Sequence, residues 1–423
     1  MKRLILIIAC ATPFMAIAQP SFDAWFEHKT LRLDFVHAGD REHEELFFEE
    51  LMEEPFWGGS TVNLVDTSLA GNYYVNLYDL ASGILLYSRG FCTLFREWQD
   101  TEEARTGNRA CPGTVVMPFP KESARVEILS RNKRGAFEKK FERVIRVDDY
   151  FIKRERRQAY PSRDILLSGD ASRRVDVVLL PDGYTAGEMD KFLDDCRSFT
   201  RGLFSFSPYR EHERLFNVRA VMAPSAESGT DIPPEGTWKS TILNSSFYTL
   251  NSERYLMTHD HKMLRDLASN VPYDFIYVIV NADKYGGGAI YNHYGMSVSG
   301  NIFTAKVYVH EFCHLFLGLG DEYAEDNTYN NMYPLDVEPW EANLTTLVNF
   351  ERKWKDLVEE GTPVPTPLDP ARPGRIGLYE GGGYVRSGVY RPRQDCLMRT
   401  LQGDDFCPVC TRAIVKQIHF YAE

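Results

Sequence analysis

The sequence predicts an α+β protein in which an N-terminal antiparallel β-sandwich precedes an α/β domain. Three observations carry that reading. Apolar and polar residues alternate with period two in four stretches before residue 150. After about residue 173, apolar strand-like runs interleave with amphipathic helical patterns. Between the two lies a polar, arginine-rich segment, KRERRQAYPSRD (153–164), which reads as a solvated connector. The expected divisions are a signal peptide over 1–18, the sandwich over 19–150, a linker over 151–172 and the α/β domain over 173–423.

The chain opens MKRLILIIACATPFMAIAQP. Lys2 and Arg3 form a basic start, an apolar run follows, and Ala16-Ile17-Ala18 is an A-x-A cleavage site. This pattern is a secretory signal peptide rather than part of the fold. The protein is therefore expected to be exported: secreted, periplasmic or at the cell surface. A second reading takes IIAC (7–10) as a lipoprotein box anchored through Cys10, but the apolar stretch before it is short. Pro13 interrupts the run, and no later segment is apolar enough to span a bilayer.

Of the 423 residues, 43% are hydrophobic and 26% charged, an ordinary globular balance. That length suggests two or three domains. The formal net charge of −12 argues against nucleic acid and anionic membranes as partners.

In the first region LRLDFVHAG (31–39), NYYVNLYDLASGILLYSRGF (72–91), ARVEILSR (124–131) and FEKKFERVIRV (137–147) alternate as half-buried strands, with DLASGI as a turn. Several short strands at such spacing suggest a sandwich. His28, His37 and His43 sit among acidic residues and read as a solvated face.

In the second region VDVVLLPDGY (175–184) is a buried strand. TAGE (185–188) is a capping box that opens an amphipathic helix to about Phe204. LFNVRAVMAP (215–224) and YDFIYVIVNA (273–282) are further strands, with a helix expected over 252–269 between them. YGGGAIYNHYG (285–295) is a glycine-rich turn into an edge strand, along which an extended peptide could pair. It lacks the ending and spacing of a phosphate-binding loop. His293 in this stretch reads as rim or core. A helix is expected from near Thr304, and a last one over about 408–420. GTPVPTPLDPARPG (361–374) carries five prolines and reads as a stiff surface loop.

The stretch VHEFCHLFLGLGDEYAE (309–325) carries the chemistry. Residues four apart in a helix point the same way from adjacent turns, so His310 and His314 can share one metal ion. Glu311 lies beside that ion, placed to take a proton from the attacking water. This is the H-E-x-x-H arrangement of zinc hydrolases. Zinc lowers the pKa of a water to about 7 and polarises a carbonyl. A catalytic zinc also needs a third protein ligand. Gly318 can end the helix in a left-handed turn, after which Asp321 can reach back. Glu322 is the near alternative. Taken alone, H-E-x-x-H also arises by chance; the glycine and the acid that follow strengthen the zinc reading. No G-x-S-x-G is present to support a serine nucleophile.

HEFCHLFLGLGDEY resembles the metzincin zinc peptidases, except that Gly318 and Asp321 each come one residue late and an acid replaces the usual histidine. That departure matches the IgA-peptidase-type metallopeptidase family. LPDGYTAGEMDKF (180–192), SGTDIP (228–233), YGGGAIYN (285–292), EPWEANLTT (338–346), EGGGYVRSGVYRP (380–392) and DCLMRT with FCPVC (395–410) are also similar to that family, in order. The first 150 residues resemble its N-terminal β-domain. The resemblance implies a metzincin-like catalytic domain, one catalytic zinc, and endopeptidase action on a protein or peptide substrate. It also implies that Met398, in CLM (396–398), is the methionine of a Met-turn beneath the metal ligands. Cys313 stands where the family is expected to have a small glycine.

Seven cysteines follow the signal peptide: Cys92, Cys111, Cys196, Cys313, Cys396, Cys407 and Cys410. An oxidising compartment permits disulfides. Pairing among Cys396, Cys407 and Cys410 is preferred, Cys92 with Cys111 is one option for a second bridge, Cys313 is the candidate left-over core thiol, and sequence does not give the connectivity. A structural Cys₃His metal site with His419 is the alternative. Tyr384 and Tyr390 precede the CLM turn; either hydroxyl could stabilise an oxyanion, though packing is the plainer role.

Two other function classes compete with a zinc endopeptidase. One is a non-catalytic surface binding protein on a protease scaffold, against which intact Glu311 argues. The other is a zinc amidase acting on cell-wall peptides.

Overall fold

The structure is a computed structural model. It describes residues 19–155, 158–324, 332–403 and 405–422. The signal peptide expected at 1–18 and Cys10 lie outside the described residues.

The first region contains α1 (Phe22–Trp25), β1 (Phe26–Gly39), β2 (Glu44–Glu54), β3 (Tyr73–Asp79), β4 (Leu85–Phe91), α2 (Leu94–Gln99), β5 (Arg109–Pro120), β6 (Ala124–Arg131), β7 (Phe137–Ile145) and β8 (Ile152–Lys153). These strands form two four-stranded sheets, ordered β5-β1-β2-β8 and β4-β3-β6-β7. All pairings are antiparallel except the short parallel contact of β8 with β2. One core joins the two sheets: Leu31, Leu33 and Phe35 from β1 meet Val75 and Leu77 from β3 and Val126 and Ile128 from β6. Period-two alternation puts each of these sets on one face.

Two of these strands escape a reading by alternation. β2 reads EELFFEELMEE, and a bulge opposite Asp34/Phe35 breaks its phase. β5 contains Pro112, Pro118 and Pro120, and as an edge strand it can carry residues that lack an N–H donor. His37 also departs from expectation. It is 1% exposed, with Nε2 3.0 Å from Glu44 Oε2. It follows Leu31, Leu33 and Phe35 in the same inward phase. His28 and His43 are exposed, as expected.

The second region contains β9 (Ser162–Leu166), β10 (Val175–Asp182), α3 (Met189–Leu203), β11 (Phe216–Val221), α4 (His261–Ala268), β12 (Phe275–Val280), β13 (Gly287–Ile290), β14 (Tyr294–Val298), α5 (Thr304–Leu317), β15 (Tyr379–Gly382), β16 (Val385–Arg391) and α6 (Pro408–Ala422). Its main sheet runs β13-β14-β12-β10-β11-β9. The four inner strands are parallel, and β13 and β9 are antiparallel edges. Both faces are covered, so β10 and β12 are buried along their whole length. On one face Val177 and Leu179 pack with Phe199, Phe312, Phe316 and Ile418 from α3, α5 and α6. On the other, Val178 and Leu180 pack with Leu264 and Leu267 of α4.

The helix expected over 252–269 is shorter than that. It begins at His261, where the Asp260 side chain accepts from the Met263 N–H at 3.3 Å. Tyr255 is drawn away to bridge Gly287 of β13. The segment read as a linker carries a strand at each end, β8 joining the sandwich and β9 the α/β sheet. Buried polar contacts fasten the two regions together. Arg32, fully buried, reaches Asp266 of α4 at 2.8 Å and Asp34 at 2.9 Å, and Tyr273 donates to Glu54 at 2.9 Å.

All seven cysteines among the described residues are free and buried, so the expected disulfides are not formed. No helix among the described residues is long and apolar enough to cross a membrane.

Candidate metal centre

Helix α5 presents two faces. Val309, Phe312, Cys313 and Phe316 enter the core, while His310, Glu311 and His314 line a cleft of about 460 Å³. The helix stops at Gly318, which is left-handed at φ 64° and closes on the His314 carbonyl at 3.0 Å. A Cβ at Gly318 would also sit 2.4 Å from the Trp340 ring, so only glycine fits the turn and the approach. The chain then reverses. Asn343, fully buried, fixes the reversal by bonding both the N–H and the carbonyl of Gly320 at 2.8 Å.

The reversal brings Asp321 to the histidines. Its Oδ1 lies 3.1 Å from His310 Nε2 and 3.4 Å from His314 Nε2, and the two Nε2 atoms are 3.0 Å apart. Each imidazole is oriented from behind: His310 Nδ1 is 3.0 Å from the Leu397 carbonyl, and His314 Nδ1 is 2.6 Å from that of Leu319. A carbonyl only accepts, so both Nδ1 atoms carry hydrogen and both Nε2 lone pairs face one point. Asp321 Oδ1 is buried there without a hydrogen-bond partner, while Oδ2 accepts from the Tyr384 hydroxyl. Two lone pairs and a carboxylate oxygen converging in a buried place require a shared cation or proton. The donor set fits a divalent metal such as zinc.

The electrostatics agree with this crowding. Burial works against charge on His314, but Asp321 and Glu311 outweigh it and push the imidazole up to about 9. Burial would raise Asp321, but His314 and His310 hold it well below the usual carboxylate range. Burial raises Glu311, with the two histidines opposing.

Glu311 faces the edge strand β13, and a Cβ at Gly287 would lie 3.2 Å from its Cγ. That edge is less open than its sequence suggests. The Gly287 N–H donates to the Arg254 carbonyl at 3.1 Å, and its own carbonyl accepts from Leu256 N–H at 3.3 Å. An extended peptide therefore cannot pair with β13 at Gly287.

Met398 is fully buried in the turn 396–399 beside the cluster. The preceding carbonyl, of Leu397, orients His310, and the Met398 carbonyl accepts from Glu322 N–H at 2.8 Å. Glu322 does not face the histidines. Its Oε1 accepts from Asn343 Nδ2 at 3.0 Å and lies 3.3 Å from Cys410 Sγ. Tyr384 binds the Asp321 carboxylate rather than standing free as an oxyanion donor, and Tyr390 is half-buried on β16. His293 is core, with Nε2 3.2 Å from His261 Nδ1. His419 lies near the His212 ring, 5.5 Å between centroids.

The cleft also has walls that the motif does not announce. Glu97 and Asp100, from the sandwich region, line it together with Tyr255, Tyr323 and Trp340. Tyr255 donates to Glu97, whose carboxyl is pushed up to about 7 chiefly by burial. Nothing in the local sequence around Glu97 marks it. Asn343 and Tyr384 lie in EPWEANLTT and EGGGYVRSGVYRP, two stretches that carried the family resemblance.

A family model described as IgA Peptidase M64 matches residues 164–372 and 368–418. A second, described as Peptidase M64 N-terminus, matches residues 21–142. No curated protein matches the chain.

Proposed function

The chain belongs to the IgA peptidase M64 family and is thus a peptidase acting on a protein or peptide; from that premise we propose that it is an exported, zinc-dependent endopeptidase in which His310, His314 and Asp321 hold the metal. The observation that carries the reading is the convergence of Asp321 Oδ1 and two imidazole Nε2 atoms on one buried point. When bound, zinc supplies Lewis acidity toward the scissile carbonyl and acidifies a water.

The remaining steps belong to the chain. Glu311 accepts the proton of the attacking water on its carboxylate and returns it to the departing amine nitrogen. Burial, which raises Glu311, makes that carboxylate a stronger base. Leu397 and Leu319 fix the tautomers of the two histidines, and Tyr384 holds Asp321 in place. Met398 supplies a packed floor beside the cluster. The signal-peptide pattern over 1–18 supports export and substrates outside the cytoplasm.

Digestion of a broad peptide library by the mature protein, with Glu311→Gln as control, tests the reading. Internal cuts made by the wild type alone, abolished by a chelator and restored by zinc, are expected. Cleavage undiminished in Glu311→Gln, or insensitive to chelation, would sink it.

A further inference from the structure

We propose a second metal site, structural rather than catalytic, in which Cys396, Cys407, Cys410 and Glu322 enclose one zinc ion directly behind the candidate catalytic centre. One donor atom from each of these four residues lies within 4.8 Å of the other three. All four side chains are buried, at 1%, 0%, 0% and 0% exposure respectively.

Two of the spacings suit a tetrahedral ion. Zinc–sulfur bonds of about 2.3 Å put neighbouring sulfurs roughly 3.8 Å apart in a tetrahedron. Cys396 Sγ and Cys410 Sγ are 3.9 Å apart, and Glu322 Oε1 is 3.3 Å from Cys410 Sγ. Glu322 Oε2 is buried with no hydrogen-bond partner. A buried carboxyl oxygen with no donor, on a side chain gathered with three cysteines, is one that a bound cation would satisfy.

The surroundings suit thiolates. Cys407-Pro408-Val409-Cys410 opens α6, so Cys407 stands at the positive end of a helix. The Cys407 N–H points to Cys396 Sγ at 3.3 Å, and the Cys410 N–H to Cys407 Sγ at 3.4 Å. Asn343 donates to Glu322 Oε1 at 3.0 Å, an outer contact that orients the carboxylate. Arg391 and Arg393, 6% and 9% exposed, bring positive charge toward Glu322 and toward Cys396 and Cys407. Four protein ligands leave no open position, which marks a structural site. It would tie together the loop that carries Asp321, the turn that carries Met398, and the start of α6. Binding requires only loss of the thiol protons to solvent, with no redox step.

The full mature chain, purified without chelator, should contain about two zinc ions by elemental analysis. A His310→Ala/His314→Ala variant should retain one. When that variant is loaded with cobalt(II), a sulfur-to-cobalt charge-transfer band should appear, since among the described residues the candidate metal-holding group that contains cysteines is the proposed site. Cys407→Ser should abolish the band. If Cys407→Ser does not fold, the spectrum of the histidine variant decides by itself. A histidine variant that holds no metal and shows no thiolate band overturns the proposal. So does non-reducing peptide mapping that finds a disulfide among the three cysteines. Failure of the peptidase reading would appear separately, as two metals with no peptide cleavage.

Discussion

Asp321 and Glu322 are neighbours in the chain and face opposite ways: Asp321 Oδ1 lies 3.1 Å from His310 Nε2, and Glu322 Oε1 lies 3.3 Å from Cys410 Sγ. One peptide unit thus separates two donor clusters. The proposal of Asp321 rather than Glu322 as the third metal ligand rests on that orientation.

Tyr384→Phe should loosen the candidate metal centre without destroying it. The lost hydroxyl donates to Asp321 Oδ2. Removing such an outer partner typically costs about 10–100-fold in metal affinity or activity. Competition against a graded series of chelators measures it. Unchanged affinity would show that the Gly383 N–H bond to the Asp321 carbonyl, 2.6 Å long, holds the segment unaided.

Gly318→Ala should destabilise the fold and displace Asp321, the proposed third ligand, together. A left-handed residue with a Cβ costs roughly 1–2 kcal/mol, and here the added atom would also meet Trp340 at 2.4 Å. Denaturant unfolding gives the first quantity and zinc content the second. A stable, fully metallated alanine variant would contradict both.

Arg32→Met should cost about 3–5 kcal/mol, the usual penalty for leaving buried charges without their partner. Asp34 and Glu54 are buried beside this arginine, and Asp266 reaches it from α4. Because the cluster bridges the two regions, limited proteolysis between them should accelerate as well. A loss below about 1 kcal/mol would mean that the carboxyls simply take up protons instead.

Glu97 predicts a pH dependence. Burial raises its folded pKa to about 7, above the value of 4.5 for a free glutamate. Between about 4.5 and 7 the folded protein therefore holds a proton that the unfolded chain releases, so its contribution to stability falls as pH rises through that window. Above about 7 the decline stops. Glu97→Gln should remove this part of the slope, read as denaturation midpoints across the window for both proteins. Parallel slopes would refute it.

Much of the site was legible because it is local. Helical periodicity alone aligns His310 with His314, and a glycine four residues after His314 forecasts the reversal that follows. The parallel strands β10 and β12 announce themselves as unbroken apolar runs. His37 was also within reach, since it shares the phase of Phe35, but its acidic neighbours in sequence suggested solvent. β2 was not legible, because a bulge shifts its phase and two of its acids, Glu50 and Glu54, are buried.

What the sequence by itself determined is therefore the alignment of His310 and His314 on α5 and the family to which the chain belongs. Tertiary structure alone decided that Asp321, not Glu322, meets the histidines. That outcome depends on Asn343, Tyr384 and Cys410, which lie 21 to 88 residues further along the chain. It likewise brought Glu97 into the cleft from the other region and gathered three cysteines with a glutamate rather than with His419. Backbone periodicity fixes which side chains share a face over one or two turns. Which distant groups then meet that face is set by how the layers close around their common core.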